Sequence, residues 1–271
     1  MAEPYVPREY WTKVANACSQ DEGNGLAPVL HPGVPDWYNR IIDVLQHRAL
    51  LRALDIAKLE TGSKVLDIGC GTGRWLRRYD DLGFHATGID LTAEMLLLAR
   101  KYRTRSPLVG GESCRLPFKD ASFDAVSDIT VIQHQKRASQ TQSIAEMLRV
   151  LKPGGRLILI ELIRGEGNHI FPLSPGNWIE AVTSSGANLI DWFGQEFMLI
   201  DRGFVNLARL IGRKTDHKIM SPQRLSSVSI SRNIFWNVRH FTAQISARID
   251  PIVSQISPGK LATHGVFIFL K

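Results

Sequence analysis

The chain has 271 residues, 44% of them apolar and 22% charged, with 22 Gly, 13 Pro and only three Cys. Collagen, low-complexity disorder and a disulfide-stapled scaffold are thereby excluded. Cys18, Cys70 and Cys114 stand too far apart for a zinc site, and their odd number suits a reducing compartment. The net charge of +7 is unevenly spread: residues 1–200 hold 22 Lys/Arg against 23 Asp/Glu, and residues 201–271 hold 11 against 3. A basic end of this kind suits nucleic acid, an anionic membrane or an anionic substrate. Its charges come singly, so a solvated basic face or an anionic-substrate site is the expectation, with no DNA partner. The longest strongly apolar run, Leu157 to Ile163, is interrupted by Glu161. A bilayer span needs about twenty such residues. The start, Met1-Ala2-Glu3-Pro4, has no apolar h-region behind it. A cytoplasmic protein is expected, with peripheral membrane contact left open.

In chain order, prolines and the Gly23-Asn24-Gly25 turn limit residues 1–35 to one short helix, Arg8 to Ala17. Apolar residues at helical spacing predict a helix over Trp37 to Leu54. Strands are predicted at 64–68, 85–89, 108–109, 123–129, 156–162, 187–193 and 265–270. Helices are expected between them, at about 74–82, after Thr92, at 139–151 and at 177–185. Such alternation means right-handed crossovers and a largely parallel sheet covered on both faces. Residues 198–262 leave the rhythm. There Ile234, Val238, Phe241, Ile245 and Ile249 make an apolar stripe on a helix expected to end before Pro251, with Arg232, Arg239 and Arg248 beside it.

The first strand ends in Asp67-Ile68-Gly69-Cys70-Gly71-Thr72-Gly73-Arg74. The glycines allow a sharp turn and close ligand approach, and the helix that follows offers unpaired N–H groups. Arg74 occupies the place where a dinucleotide fingerprint needs its third glycine, and no G-K-[ST] is present. Asp67 at the root of the loop would repel a pyrophosphate and suit a cationic ligand. Asp90, 21 residues after Gly69, brings a carboxylate to the loop for a pair of ribose hydroxyls. A nucleoside with positive charge and no diphosphate is implied, and S-adenosylmethionine fits.

These residues carry a resemblance. Val65 to Gly73 resembles the first motif of the class I S-adenosylmethionine-dependent methyltransferases, and Gly88-Ile89-Asp90 the second. Glu112-Ser113-Cys114-Arg115-Leu116-Pro117-Phe118 resembles the segment after their third strand. Phe123 to Val126 with Val131 to His134, and Leu148 to Gly155, resemble the fourth-strand and fifth-strand signatures. The branch most like it contains the quinone-biosynthesis C-methyltransferases. The resemblance implies a Rossmann-like α/β fold of seven strands, the last antiparallel; where the family passes from the sixth strand to the seventh by a short hairpin, this sequence carries an insertion of some sixty residues. It implies that Asp67, Gly69, Gly71 and Gly73 hold the methionine part of S-adenosylmethionine. Asp90 and Leu91 would meet the ribose, Glu112 and Ser113 the adenine, and Asp128 would lie near the sulfonium. Glu112 and Ser113 stand where Asp and Ala are usual.

Domain bounds are expected at 1–36 (a lid over the cofactor), 37–197 (the core), 198–262 (a helical cap shaping the acceptor pocket) and 263–271 (the last strand). His134, in the loop after the fourth strand, and Glu161, at the end of the fifth, are the candidate catalytic residues, each equally able to brace the structure. Tyr38 is the aromatic chosen to shield the sulfonium. Asp124 should brace its strand, and the other histidines should pack or face solvent. No metal site is expected. The expected function is methyl transfer to a small-molecule acceptor, at oxygen ahead of nitrogen or carbon. The alternative is a non-catalytic nucleoside-binding protein whose basic tail docks RNA, an acidic partner or a membrane.

Overall fold

Lys64–Ile68 (β1) is apolar on both sides of its pleat, as a strand buried between two helical layers must be. The computed structural model describes residues 5–19, 25–165, 167–210, 230–257, 259 and 261–271. The expected turn at Gly23-Asn24, the middle of the insertion, and the side chains of Arg232 and Ile234 lie outside what is described.

Around β1 lie His85–Asp90 (β2), Leu108–Gly110 (β3), Phe123–Ile129 (β4), Leu151–Leu162 (β5), Asn188–Gln195 (β6) and His264–Leu270 (β7). They form one seven-stranded sheet in the order β3-β2-β1-β4-β5-β7-β6. All neighbours are parallel except β7, which is antiparallel to both β5 and β6. One face packs on Arg137–Val150 (α5) and Pro175–Thr183 (α6), burying Ile144, Met147 and Trp178. The other packs on Asp36–Ala57 (α2) and Arg74–Asp81 (α3), burying Leu50, Trp75 and Leu76. Strand order reverses between β1 and β4, and there the carboxyl ends of the strands diverge into a crevice. Pro7–Ala17 (α1) lies against Ala93–Lys101 (α4) at this edge, with Ala15, Met95 and Leu98 buried together.

The insertion holds Leu199–Leu210 (α7) and Ile230–Ile256 (α8). One expectation fails there. The helix does not end before Pro251 but runs through it. Proline has no N–H for the carbonyl four residues back, and that carbonyl, Ala247 O, accepts a hydrogen bond from Arg48 Nη1 at 3.4 Å instead. The apolar stripe does not pack inward: Val238 is 40% and Phe241 64% exposed. The buried face of α8 is instead Ala243, Ser246 and Asp250. Asp250 holds the N–H groups of Phe197 (2.8 Å) and Met198 (2.9 Å), and Ser246 Oγ accepts from Asp201 N (3.0 Å). Backbone groups left open where the chain leaves β6 need polar partners, and this outranks apolar periodicity.

Candidate active site

At the strand-order reversal lies a cavity of about 400 Å³, within the range that holds small ligands. One wall is the glycine loop after β1. Gly69 and Gly71 have φ of +60° and +51°, and a Cβ at either would come within 2.6 Å of Val131 or Val29 side-chain carbons. Only glycine lets those valines approach without strain. Asp90 fixes the loop from β2: Oδ2 accepts from Gly71 N at 2.8 Å, and Oδ1 from Thr92 N (2.9 Å) and Thr92 Oγ1 (3.1 Å). These bonds hold the carboxylate at the edge of the cavity, which it lines. Thr92 does precede α4 as expected, yet its hydroxyl serves Asp90 rather than capping the helix.

Asp67 lies beneath the loop, buried. Its Oδ1 accepts from Ser127 Oγ at 3.0 Å, and its Oδ2 has no partner. Burial raises its pKa to about 8, with the Ser127 hydrogen bond opposing. An orphaned buried acceptor of this kind is a place for a cationic or N–H-bearing ligand atom. The glycine cradle and this orphan fit S-adenosylmethionine.

The opposite wall is the loop from Thr130 to Gln135. Its N–H groups are held from below by two buried acids. Glu161 accepts from Val131 N and Gln133 N, both at 3.0 Å, and Asp128 Oδ1 accepts from Ile132 N at 3.3 Å. Burial raises both carboxyls, Glu161 the further because the Asp128 charge adjoins it. The Gln133 side chain ties the same loop to β5 by accepting from Leu162 N at 2.8 Å.

His134 lines the cavity, and burial lowers its pKa to about 4. Its Nδ1 lies 2.9 Å from the His169 carbonyl and so must donate to it. That fixes the neutral tautomer and makes Nε2 an acceptor, met by Gln133 Nε2 at 3.4 Å. Its ring stacks on His169 (centroids 5.3 Å apart) and meets the edge of Trp11 (5.1 Å). Tyr10 stacks on His169 in turn at 4.7 Å. Tyr5, Arg8 and Trp11 line the cavity from above. Arg8 Nη1 donates to Leu91 O at 2.7 Å, and Nη2 reaches Glu112 Oε1 at 3.4 Å.

The cavity therefore gathers Gly69, Gly71, Asp90, Leu91, Glu112, Ser113 and His134. Asp67 and Gly73 support its loop from behind. Asp128 and Glu161 are not on the wall; both are fully buried under the loop, because its backbone donors need acceptors there. Tyr38 does not reach the cavity. It packs under Arg239, whose guanidinium lies 4.5 Å from its ring. Glu112 is largely exposed, and Ser113 Oγ is engaged by Gln135 Nε2 at 2.7 Å. Asp124 braces its strand as expected, accepting from Lys64 N and Lys152 Nζ. Arg8, Trp11 and His169 join the site without a sequence signal that marks them. The first two precede the core motifs by more than fifty residues, and His169 follows a strand-end loop with no periodic signal.

Residues 66–159 match the family model described as a methyltransferase domain. The demethylmenaquinone methyltransferase of Renibacterium salmoninarum is 34% identical over 46% of this chain and 53% of its own length. The malonyl-[acyl-carrier protein] O-methyltransferase of Erwinia billingiae is 36% identical over 43% of this chain and 48% of its own. The chain spans about half the length of the curated relatives it matches. Among solved structures, the cyclase SpnF shares the fold with a TM-score of 0.54 at 20% identity, covering 83% of this chain and 80% of that one. Residues 66–159 thus form a class I methyltransferase domain of the S-adenosylmethionine-dependent kind, resembling quinone-biosynthesis enzymes.

Proposed function

We propose that the protein transfers a methyl group from S-adenosylmethionine to a small-molecule acceptor that enters beside His134, at oxygen ahead of nitrogen or carbon. The observation that carries this is the single cavity joining the Gly69–Gly71–Asp90 wall to the His134 wall above an orphaned Asp67 carboxylate. The relatives' different acceptors support methyl transfer as such and leave the acceptor to the pocket. Bound there, S-adenosylmethionine would supply an electrophilic methyl on a sulfonium. Asp67 would answer the charge of its methionine part, Gly69 and Gly71 would give it room, and Asp90 with Leu91 would take the ribose. Glu112 and Ser113 would take the adenine. The aromatic rings of Tyr5 and Trp11 would exclude water from the cation and favour it by cation–π attraction.

His134 is suited to orient the acceptor rather than to strip it of a proton. A base with a pKa of about 4 is weak at neutral pH, but its neutral Nε2 would accept from an acceptor O–H or N–H in place of its long 3.4 Å contact with Gln133 Nε2. The rate enhancement then comes mainly from alignment and desolvation. Helix α1, clasped by Arg8, acts as the lid, and entry of either ligand requires it to lift.

The test is calorimetry with S-adenosylhomocysteine together with a mass screen of candidate acceptors for one added methyl. Asp90→Ala should weaken binding by about 1.5–3 kcal/mol, as for loss of charged hydrogen bonds. An unchanged dissociation constant would remove Asp90 from the site, and turnover of no acceptor would leave the nucleoside-binding alternative standing.

A further inference from the structure

Helix α8 is amphipathic the wrong way round for a helix bathed in water. The buried positions against the body are small or polar, Ala243, Ser246 and Asp250 with Arg239 beside them, and near its start the helix also packs Trp236 against Trp37 and Phe235 on Phe204. Half a turn away, Val238, Phe241, Ile245, Arg248, Ile252 and Ile256 follow at steps of three and four. Phe241 is 64%, Ile252 60% and Ile256 77% exposed. Side chains at such spacings share one face, so the exposure forms a continuous apolar strip. From Val238 to Ile256 it runs on the order of 27 Å at the α-helical rise. Isolated exposed apolar residues are ordinary, but a strip of this length marks a contact surface.

Charge identifies the partner. The two acids in the described part of the insertion, Asp201 and Asp250, are buried at 2% and 3% exposure. Asp201 faces Arg239 at 3.3 Å, and Asp250 is spent on backbone N–H groups. The outward charge of these described residues is therefore basic. Arg248 is exposed within the apolar strip, and the exposed Arg48 and Arg52 of α2 meet the helix on its body side, at Ala247 O and Ser254 Oγ. The whole of residues 201–271 carries 11 Lys/Arg against 3 Asp/Glu. Two copies meeting through such faces would repel one another. An arginine centred in an apolar strip suits an interface where its stem is buried and its head reaches anionic groups.

We propose that the outer face of α8 docks the protein on an anionic lipid bilayer, lying flat in the headgroup region. Among the described residues no helix is long and apolar enough to cross a membrane, and a flat amphipathic helix needs no such length. The proposal does not depend on methyl transfer, because binding is read without turnover.

The test is co-sedimentation of the full chain with phosphatidylglycerol-containing vesicles and with pure phosphatidylcholine vesicles. Binding should favour the anionic vesicles and weaken as salt rises. The triple variant Phe241→Ser, Ile252→Ser, Ile256→Ser should lose it while keeping its thermal midpoint and its S-adenosylhomocysteine affinity. Arg248→Ala should weaken it roughly fivefold, the share of one basic group at such a surface. Absence of binding to anionic vesicles would overturn the proposal, as would equal binding by the triple variant. Sedimentation of the wild type as a dimer that the triple variant dissociates would assign the strip to a second copy instead, and would also overturn it.

Discussion

The glycine-loop end of the sheet and the insertion end solve the same problem in opposite ways. Around β1, β2 and β4 the buried polar groups converge on backbone N–H groups of two loops; one oxygen of Asp67 is left over beneath the glycine loop, and Asp90 lines the cavity beside it. Around α7 and α8 the buried Asp250 and Ser246 are consumed in joining the insertion to the chain after β6, and the long exposed surface of α8 is apolar and faces outward. Unsatisfied polarity marks a ligand site at the first end. Unburied apolar area marks a surface at the second.

The contrast breaks most sharply at Gly71. Gly71→Ala places a Cβ within 2.6 Å of Val29 Cγ1 at a φ of +51°. It should cost on the order of 3 kcal/mol, roughly a hundredfold in the S-adenosylhomocysteine dissociation constant, with vesicle binding untouched. Calorimetry showing an unaltered constant would mean that the cradle is not the cofactor's.

Next comes Glu161→Gln. An amide oxygen replaces one of two carboxylate oxygens, and its NH₂ then faces the N–H of Val131 or Gln133. A loss of about 1–3 kcal/mol is expected from denaturant titration, for a buried donor left unpaired. Full stability in this variant would refute the bracing role.

Asp67 gives a pH signature. Its pKa in the folded chain, about 8, stands above the ordinary 3.8. The folded state therefore binds more protons than the unfolded between those values, and stability should fall as pH rises through that window. A cationic ligand needs the ionised form, so cofactor affinity should rise from pH 6 to pH 8. Asp67→Asn should flatten both trends; a variant that retained either slope would relocate its cause.

The smallest effect belongs to the insertion. Arg48→Ala should cost about 0.5 kcal/mol by exposing Ala247 O. On a Pro251→Ala background, where the helix supplies its own donor, the same change should cost nothing. A double-mutant cycle with zero coupling would dissociate Arg48 from the proline.

Much of the first end could be read directly. Asp67, Gly69, Gly71 and Asp90 are close in sequence to strands whose apolar runs are unmistakable, so loop and carboxylates could be placed together. His134 was legible for the same reason. The aromatic roof was not, since nothing local links Trp11 or Tyr5 to a loop some 120 residues later. Tyr38 drew notice for its type, yet a helix start alone does not say which neighbour its ring will cover; that neighbour is Arg239.

By itself, then, the sequence determined the alternating α/β core and the loop between β1 and α3, because local periodicity and glycine placement act over a few residues. Only the tertiary structure decided three things: that α1 roofs the cavity, that Asp128 and Glu161 brace a loop instead of facing a substrate, and that α8 turns its apolar stripe outward. The physical reason is common to all three. Buried backbone donors and acceptors must be satisfied by whatever side chain the fold brings near, and that demand, invisible along the chain, overruled apolar periodicity in α8 and claimed both acids under the loop.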